Sequence, residues 1–185
     1  MSVAPLAENI TTQALDSAQY FLEETTRNVF ISGKAGTGKS TFLENFRRTT
    51  CKNIAVVAPT GVAALNVQGQ TIHSFFNIKP GLIDFRSFKP ARNKKLYGSL
   101  DLLIIDEISM VRADLFDAVE ATLRKNNDKS LPFGGVQICV IGDLFQLPPI
   151  IRHEEQAFYN QTYNSPFFFA SGNYPAANFE LIKFD

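Results

Sequence analysis

Residues 33–40, "GKAGTGKS", constrain this chain more than any other stretch. They fill every position of the pattern G-x-x-x-x-G-K-[ST]. The run before them, "NVFIS" at 28–32, is apolar and rich in strand formers. The run after them, "STFLENFRR", spaces Phe42, Leu43 and Phe46 for one face of a helix. In a strand–loop–helix unit of this composition, glycines let the backbone turn tightly and aim N–H groups at phosphate oxygens. The helix N-terminus adds its dipole. Gly33, Lys34, Ala35, Gly36, Thr37, Gly38, Lys39, Ser40 and Thr41 are therefore the candidate nucleotide-binding residues. Lys39 is expected to reach the β- and γ-phosphates, and the Ser40 hydroxyl to ligate Mg²⁺.

Three further apolar runs read as buried strands: "NIAVVAP" at 53–59, "LLIID" at 102–106 and "VQICVIGD" at 136–143. They are near-continuous in Val, Ile and Leu, as strands covered on both faces should be. Helical patterns accompany them. "TTQALDSAQYFLEET" offers threonines as caps and Leu15, Ala18 and Leu22 as a face, and "ADLFDAVEATLRK" offers Leu115, Val119 and Leu123. Alternating strands and helices predict a three-layer α/β fold with a mostly parallel central sheet. Ligands in such folds bind beyond the carboxyl ends of the strands, so the residues ending each strand are the ones to read.

The length of 185 residues suits one domain. A formal net charge of zero argues against a strongly basic nucleic-acid clamp while allowing local basic patches. No apolar run approaches the ~18 residues of a membrane span. The start, "MSVAPLAENITTQ", lacks a basic segment followed by an apolar one, so no signal peptide is expected. With two cysteines, Cys51 and Cys139, and two histidines, neither a disulfide nor a zinc site is expected. The default compartment is a reducing cytoplasm.

The third apolar run ends in Asp106 and Glu107. A phosphoryl-transfer site needs an acid to hold Mg²⁺, usually through its waters, and Asp106 is placed for it. Glu107 is the candidate to orient and deprotonate an attacking water. The fourth run ends in "GDLFQLPPI", residues 142–150, where two prolines stop the strand beside an acid, Asp143, and an amide, Gln146.

Together, "NVFISGKAGTGKST", "VVAPTGVAALNVQGQTIHSFF", "LLIIDEISMV" and "VIGDLFQLPPI" resemble the first RecA-like lobe of a Pif-type (petite integration frequency, RecD-like) DNA helicase of superfamily 1B. The resemblance covers residues 10–185. It implies a P-loop NTPase fold, ATP and Mg²⁺ as cofactors, and ATP hydrolysis coupled to 5′–3′ translocation on single-stranded DNA and to unwinding at single-strand/duplex junctions. It implies that Pro59, Thr60 and Gly61 touch the DNA backbone, with Thr71, His73, Ser74 and Phe75 as the second DNA-contacting segment. It implies that Gln146 senses the γ-phosphate and that the Leu147–Pro149 turn passes the nucleotide state toward DNA. Gln13 corresponds to the adenine-reading glutamine, with Gln19 as a competitor on the same helix.

The chain reads as one RecA-like domain over 1–185. Residues 76–99 stand at the position of a small strand-separating insertion, where Lys79, Arg86, Lys89, Arg92, Lys94 and Lys95 with Phe85, Phe88 and Tyr97 fit a nucleic-acid surface. Residues 151–185 form an aromatic-rich extension in which "PFFFAS" reads as core packing, as an added helix against the sheet. The family's second RecA-like lobe, which supplies arginines to the γ-phosphate, has no counterpart after Ile150, so the chain reads as one lobe of a longer helicase. The location is cytoplasmic, or nuclear or mitochondrial in a eukaryote, with no membrane partner. Two other classes compete: a nucleotide-switched ATPase module without unwinding, and a nucleotide kinase, against which the Asp106–Glu107 pair and "GDLFQLPP" argue.

Overall fold

A computed structural model of the chain describes residues 4–185, with side chains at 12–157 and 159–185. The assignment of residues 1–3 to the domain lies outside the described residues. In chain order the elements are α1 (Ala4–Glu24), β1 (Val29–Gly33), α2 (Lys39–Thr49), β2 (Ile54–Ala58), α3 (Gly61–Asn66), β3 (Gln70–Thr71), α4 (Ile72–Phe75), α5 (Lys94–Tyr97), β4 (Leu102–Ile105), α6 (Ala113–Asn126), β5 (Gln137–Gly142), α7 (His153–Tyr159), α8 (Tyr174–Ala177) and β6 (Glu180–Phe184). The six strands form one sheet in the order β3-β2-β4-β5-β1-β6. Every neighbouring pair is parallel, so all six carboxyl ends meet at one edge.

The four predicted strands are present, and their alternation divides the core. Val29, Ile31, Leu102, Ile104, Cys139 and Ile141 face α1 and α2, where Ala18, Leu22, Phe42, Leu43 and Phe46 meet them. Phe30, Leu103, Ile105 and Val140 face the other way, toward Leu115, Phe116, Val119 and Leu123 of α6. Strands buried on both faces carry apolar residues at every position, which is why their runs are continuous.

Several expectations need correction. α1 begins at Ala4, so Thr11 and Thr12 lie inside the helix instead of capping it. The tail adds no long helix: "PFFFAS" makes a 3-10 turn at Phe168–Ala170, with Phe168 buried edge-on against Phe30 and Phe116. The tail then supplies β6, a sixth strand that docks beside β1 through Asn28. The Asn28 side chain donates to Ala177 O and accepts from Ile138 N, while its carbonyl accepts from Glu180 N. Asp117 on α6 holds the same tail, accepting from Tyr163 Oη at 2.8 Å and Asn173 Nδ2 at 2.7 Å, and from Ser171 Oγ. In the 76–99 segment Tyr97 is buried and stacks on Phe76, and Phe88 packs partly against the core. Only Phe85 of its three proposed surface aromatics is exposed, while Lys79, Lys89, Arg92, Lys94 and Lys95 do face solvent.

Candidate nucleotide and nucleic-acid site

The predicted phosphate loop bridges β1 and α2. Gly36 and Gly38 take φ of 83° and 88°, a region that favours glycine, and Gly38 caps α2. Thr37 Oγ1 closes the turn on Lys34 O at 2.9 Å. The first turn of α2 carries no acid, so its free N–H groups face no competing carboxylate. Lys39 curls back over its own loop, donating from Nζ to Gly33 O at 2.5 Å and Lys34 O at 2.6 Å.

Asp106 follows β4 and is anchored by its N–H to Val57 O at 2.9 Å. Burial pushes its carboxyl up to about 6; the Glu107 N–H opposes this, the Glu107 charge adds to it, and the Lys39 ammonium pulls it back. The Lys39 charge is therefore felt at Asp106. Glu107 stands at φ 51°, ψ 45° at the head of the 3-10 turn Ile108–Met110. A non-glycine residue held there stores ~1–2 kcal/mol, a kind of strain that clusters at active sites and ligand clamps. The sequence carries no sign of it.

At the end of β5, Asp143 is buried and organises the turn. Its Oδ1 accepts from Phe145 N at 3.0 Å, and its Oδ2 from the exposed Gln146 amide at 3.3 Å. Phe145, Leu147 and Ile150 stand out into solvent.

The two segments expected to touch DNA start short helices. Thr60 caps α3 by accepting from Ala63 N at 3.2 Å, and Thr71 caps α4 by accepting from Ser74 N at 3.1 Å. Each hydroxyl is thus oriented by its helix and keeps its O–H to donate. Gly61 faces open space. His73 is half-buried; burial first, then Arg112, hold its imidazole below the usual range, with Asp114 opposing. Phe75 is partly buried, edge-on to Phe76 and Tyr97. A cavity of about 240 Å³ brings Pro59, Thr60 and His73 together with Pro148 and Ile150 of the β5 turn. Arg112, absent from the sequence-based candidates, also lines it. Its partners Gly81, Asp114 and Glu155 are mostly distant in sequence, which is why no local pattern betrays it.

Gln13 is not brought to the loop by any observed contact. It is exposed on α1 and lines a shallow groove with Thr12, Asp16 and Tyr20 that includes none of residues 33–41. Gln19 is partly buried. Among the described residues no cluster of three His, Cys, Asp or Glu side chains could cage a metal. One carboxylate and one hydroxyl beside a phosphate loop nevertheless fit Mg²⁺, which keeps its waters and takes few protein ligands. Among the described residues no helix is long and apolar enough to cross a membrane.

A family model described as PIF1-like helicase matches residues 7–166. The ATP-dependent DNA helicase PIF1 of Saccharomyces cerevisiae is 40% identical over 141 residues, covering 71% of this chain and 16% of that protein. RRM3, an ATP-dependent DNA helicase of the same species, is 40% identical over 138 residues, covering 69% and 19%. The crystal structure of Pif1 helicase from Bacteroides in complex with ADP-AlF3 and ssDNA superposes with a TM-score of 0.88 at 38% identity, over 94% of this chain and 42% of that one. Pif1 helicase from Candida albicans gives a TM-score of 0.67 at 31% identity, over 100% and 40%. The chain therefore spans about a fifth or less of these curated relatives and about two fifths of the solved chains.

Proposed function

The chain belongs to the PIF1-like helicase family, and from that premise we propose that it is the ATP-binding motor lobe of an ATP-dependent 5′–3′ DNA helicase. Residues 33–41 bind the triphosphate, with Lys39 leaving its loop carbonyls for the β- and γ-oxygens. Ser40 and Asp106 hold the metal. A bound Mg²⁺ supplies charge neutralisation on the phosphates. Glu107 takes the proton of the attacking water, and Gln146 orients that water by donating from its amide to phosphate and accepting from the water. Loss of the γ-phosphate releases Gln146 and shifts the Leu147–Pro149 turn, which shares a cavity with Pro59, Thr60 and His73. Single-stranded DNA and single-strand/duplex junctions are the nucleic-acid partners, as for the Bacteroides relatives whose names include ssDNA and forked dsDNA. A second RecA-like lobe is the protein partner. Residues 1–185 act as one domain, in bacterial cytoplasm or, in a eukaryote, in the nucleus or mitochondrion.

The observation that carries this reading is the partly buried Asp106 carboxylate at the end of β4, within reach of the Lys39 charge at the shared edge of a parallel sheet. The test is titration of this chain with a non-hydrolysable Mg·ATP analogue. The chain should bind it weakly and hydrolyse ATP slowly, and Lys39→Ala should abolish binding with an unchanged circular dichroism spectrum. Retained binding in Lys39→Ala, or vigorous DNA-stimulated hydrolysis by these residues alone, would sink the reading. Strand displacement with opposite overhangs, by the protein carrying both lobes, tests direction.

A further inference from the structure

The cavity between the DNA segments and the β5 turn is built for an uncharged ring. Its walls are largely apolar: Pro59, Pro80 and Pro148 present rigid rings, and Met110 and Ile150 add flexible aliphatic side chains. Arg112, its one lysine or arginine, is held by two carboxylates and a carbonyl. Its Nε and Nη2 grip Asp114 at 2.9 and 2.5 Å, Nη2 also reaches Gly81 O at 2.7 Å, and Nη1 lies 3.4 Å from Glu155. Two carboxylates therefore face one guanidinium and balance its charge, which disfavours a phosphate at this end of the cavity. His73 is held toward its neutral form by burial and by Arg112. The volume of about 240 Å³ falls below the ~300–1,000 Å³ of sites for drug-sized ligands. That suits one ring system. The rim is of a different kind: Thr60 keeps a hydroxyl proton to donate, and Gly61 faces open space.

We propose that this cavity seats a single unpaired nucleobase of the strand whose backbone crosses Thr60 and Gly61. The proposal rests on the nucleic-acid reading above and extends it from backbone contact to base contact. The seated base lies against Pro148 and Ile150, the residues that end the turn anchored by Gln146 and Asp143.

The test is fluorescence anisotropy at one fixed salt concentration, with the 185-residue chain and two labelled oligonucleotides. One is an oligothymidylate and the other the same backbone with abasic sugars throughout. The wild-type chain should bind the abasic strand more weakly by between about 5- and 150-fold, the range for one stacked base. Ile150 is largely exposed, so Ile150→Ala should fold normally. It should weaken oligothymidylate binding and leave abasic binding unchanged, narrowing the ratio. Met110→Ala should narrow it in the same direction. Equal wild-type affinity for the two strands would overturn the base seat alone and leave the cavity for another occupant, such as a partner protein's side chain. So would a ratio that neither variant changes. Failure to bind either strand would overturn the nucleic-acid reading itself, and the seat with it.

Discussion

A Cβ added at Gly33 would lie 2.4 Å from the carbonyl oxygen of Phe184 and 2.6 Å from Thr37 Oγ1. Gly33 and Phe184 are register partners at the ends of β1 and β6, so the edge strand presses directly on the start of the phosphate loop. A backbone oxygen cannot rotate away as a side chain can. Gly33→Ala should cost ~1–3 kcal/mol, the range for forced overpacking, and lower the melting temperature by roughly 2–4 °C for each kcal/mol. It should also weaken Mg·nucleotide binding, because the loop must shift to relieve the overlap. Differential scanning calorimetry and a nucleotide titration check both, and a variant as stable as wild type would refute the close approach.

The four core strands were readable because burial on both faces leaves few polar positions to interrupt them, Gln137 at the start of β5 being buried with its amide hydrogen-bonded. β6 was not, although its pattern is present: in "ELIKF" Ile182 and Phe184 are buried while Leu181 and Lys183 are exposed. An edge strand of five residues carries too few periods to stand out beside an aromatic-rich tail. The site was legible as residue types at strand ends. Their mutual engagement was not, since Arg112 with Glu155 and Gly33 with Phe184 are long-range pairs. Tyr97 shows a further limit. Composition places it among lysines, but only the fold reveals that its ring turns inward onto Phe76.

Asp106 gives a pH dependence with a definite sign. Burial lifts it from its ordinary 3.8 to about 6 in the folded chain. Its stabilising contribution is therefore fully present below about 4, where it is protonated in both states, and is lost as pH rises through 6. At 1.36 kcal/mol per pH unit the loss is at most ~3 kcal/mol, and partial exposure reduces it. Asp106→Asn cannot ionise, so without metal or nucleotide it should melt above wild type at pH 8 and together with it near pH 4. Thermal melts across that range decide the matter; an advantage that is the same at every pH would exclude this cause. The same variant should lose Mg²⁺-dependent nucleotide binding.

Gln146 donates to Asp143 from an exposed position. Gln146→Ala should therefore change stability by less than ~0.5 kcal/mol. Single-turnover ATP hydrolysis should fall by roughly 10²-fold, the lower range for loss of one positioned hydrogen-bond donor, with nucleotide affinity nearly unchanged. Gln146→Glu sets a second carboxylate against Asp143. It should lose both stability and turnover at neutral pH and recover stability as the pH falls toward 4. Quenched-flow hydrolysis alongside denaturant unfolding separates the two effects; equal turnover in wild type and Gln146→Ala would remove Gln146 from the reaction.

Arg112 and Asp114 form a buried pair whose value lies in being complete. Asp114 is fully buried and also accepts from Ile83 N at 3.0 Å. Arg112 carries the backbone of Gly81 and reaches Glu155 at the start of the tail. Removing the guanidinium alone leaves Asp114 without its counter-charge in a low-dielectric site, so Arg112→Leu should cost ~3–5 kcal/mol. Removing both charges avoids that penalty, and Arg112→Leu with Asp114→Leu should cost less than the two single changes added together. Neighbouring residues that share one interaction couple by ~0.5–3 kcal/mol, well within the resolution of urea unfolding. Asp117 sits on the same helix and binds the tail through other partners, so Asp117→Asn paired with Arg112→Leu should be close to additive. A double-mutant cycle on these three positions checks the scheme. Additivity between Arg112 and Asp114 would mean that the pair is an exposed-type contact of little worth, and that the tail is held by Asp117 and β6 alone.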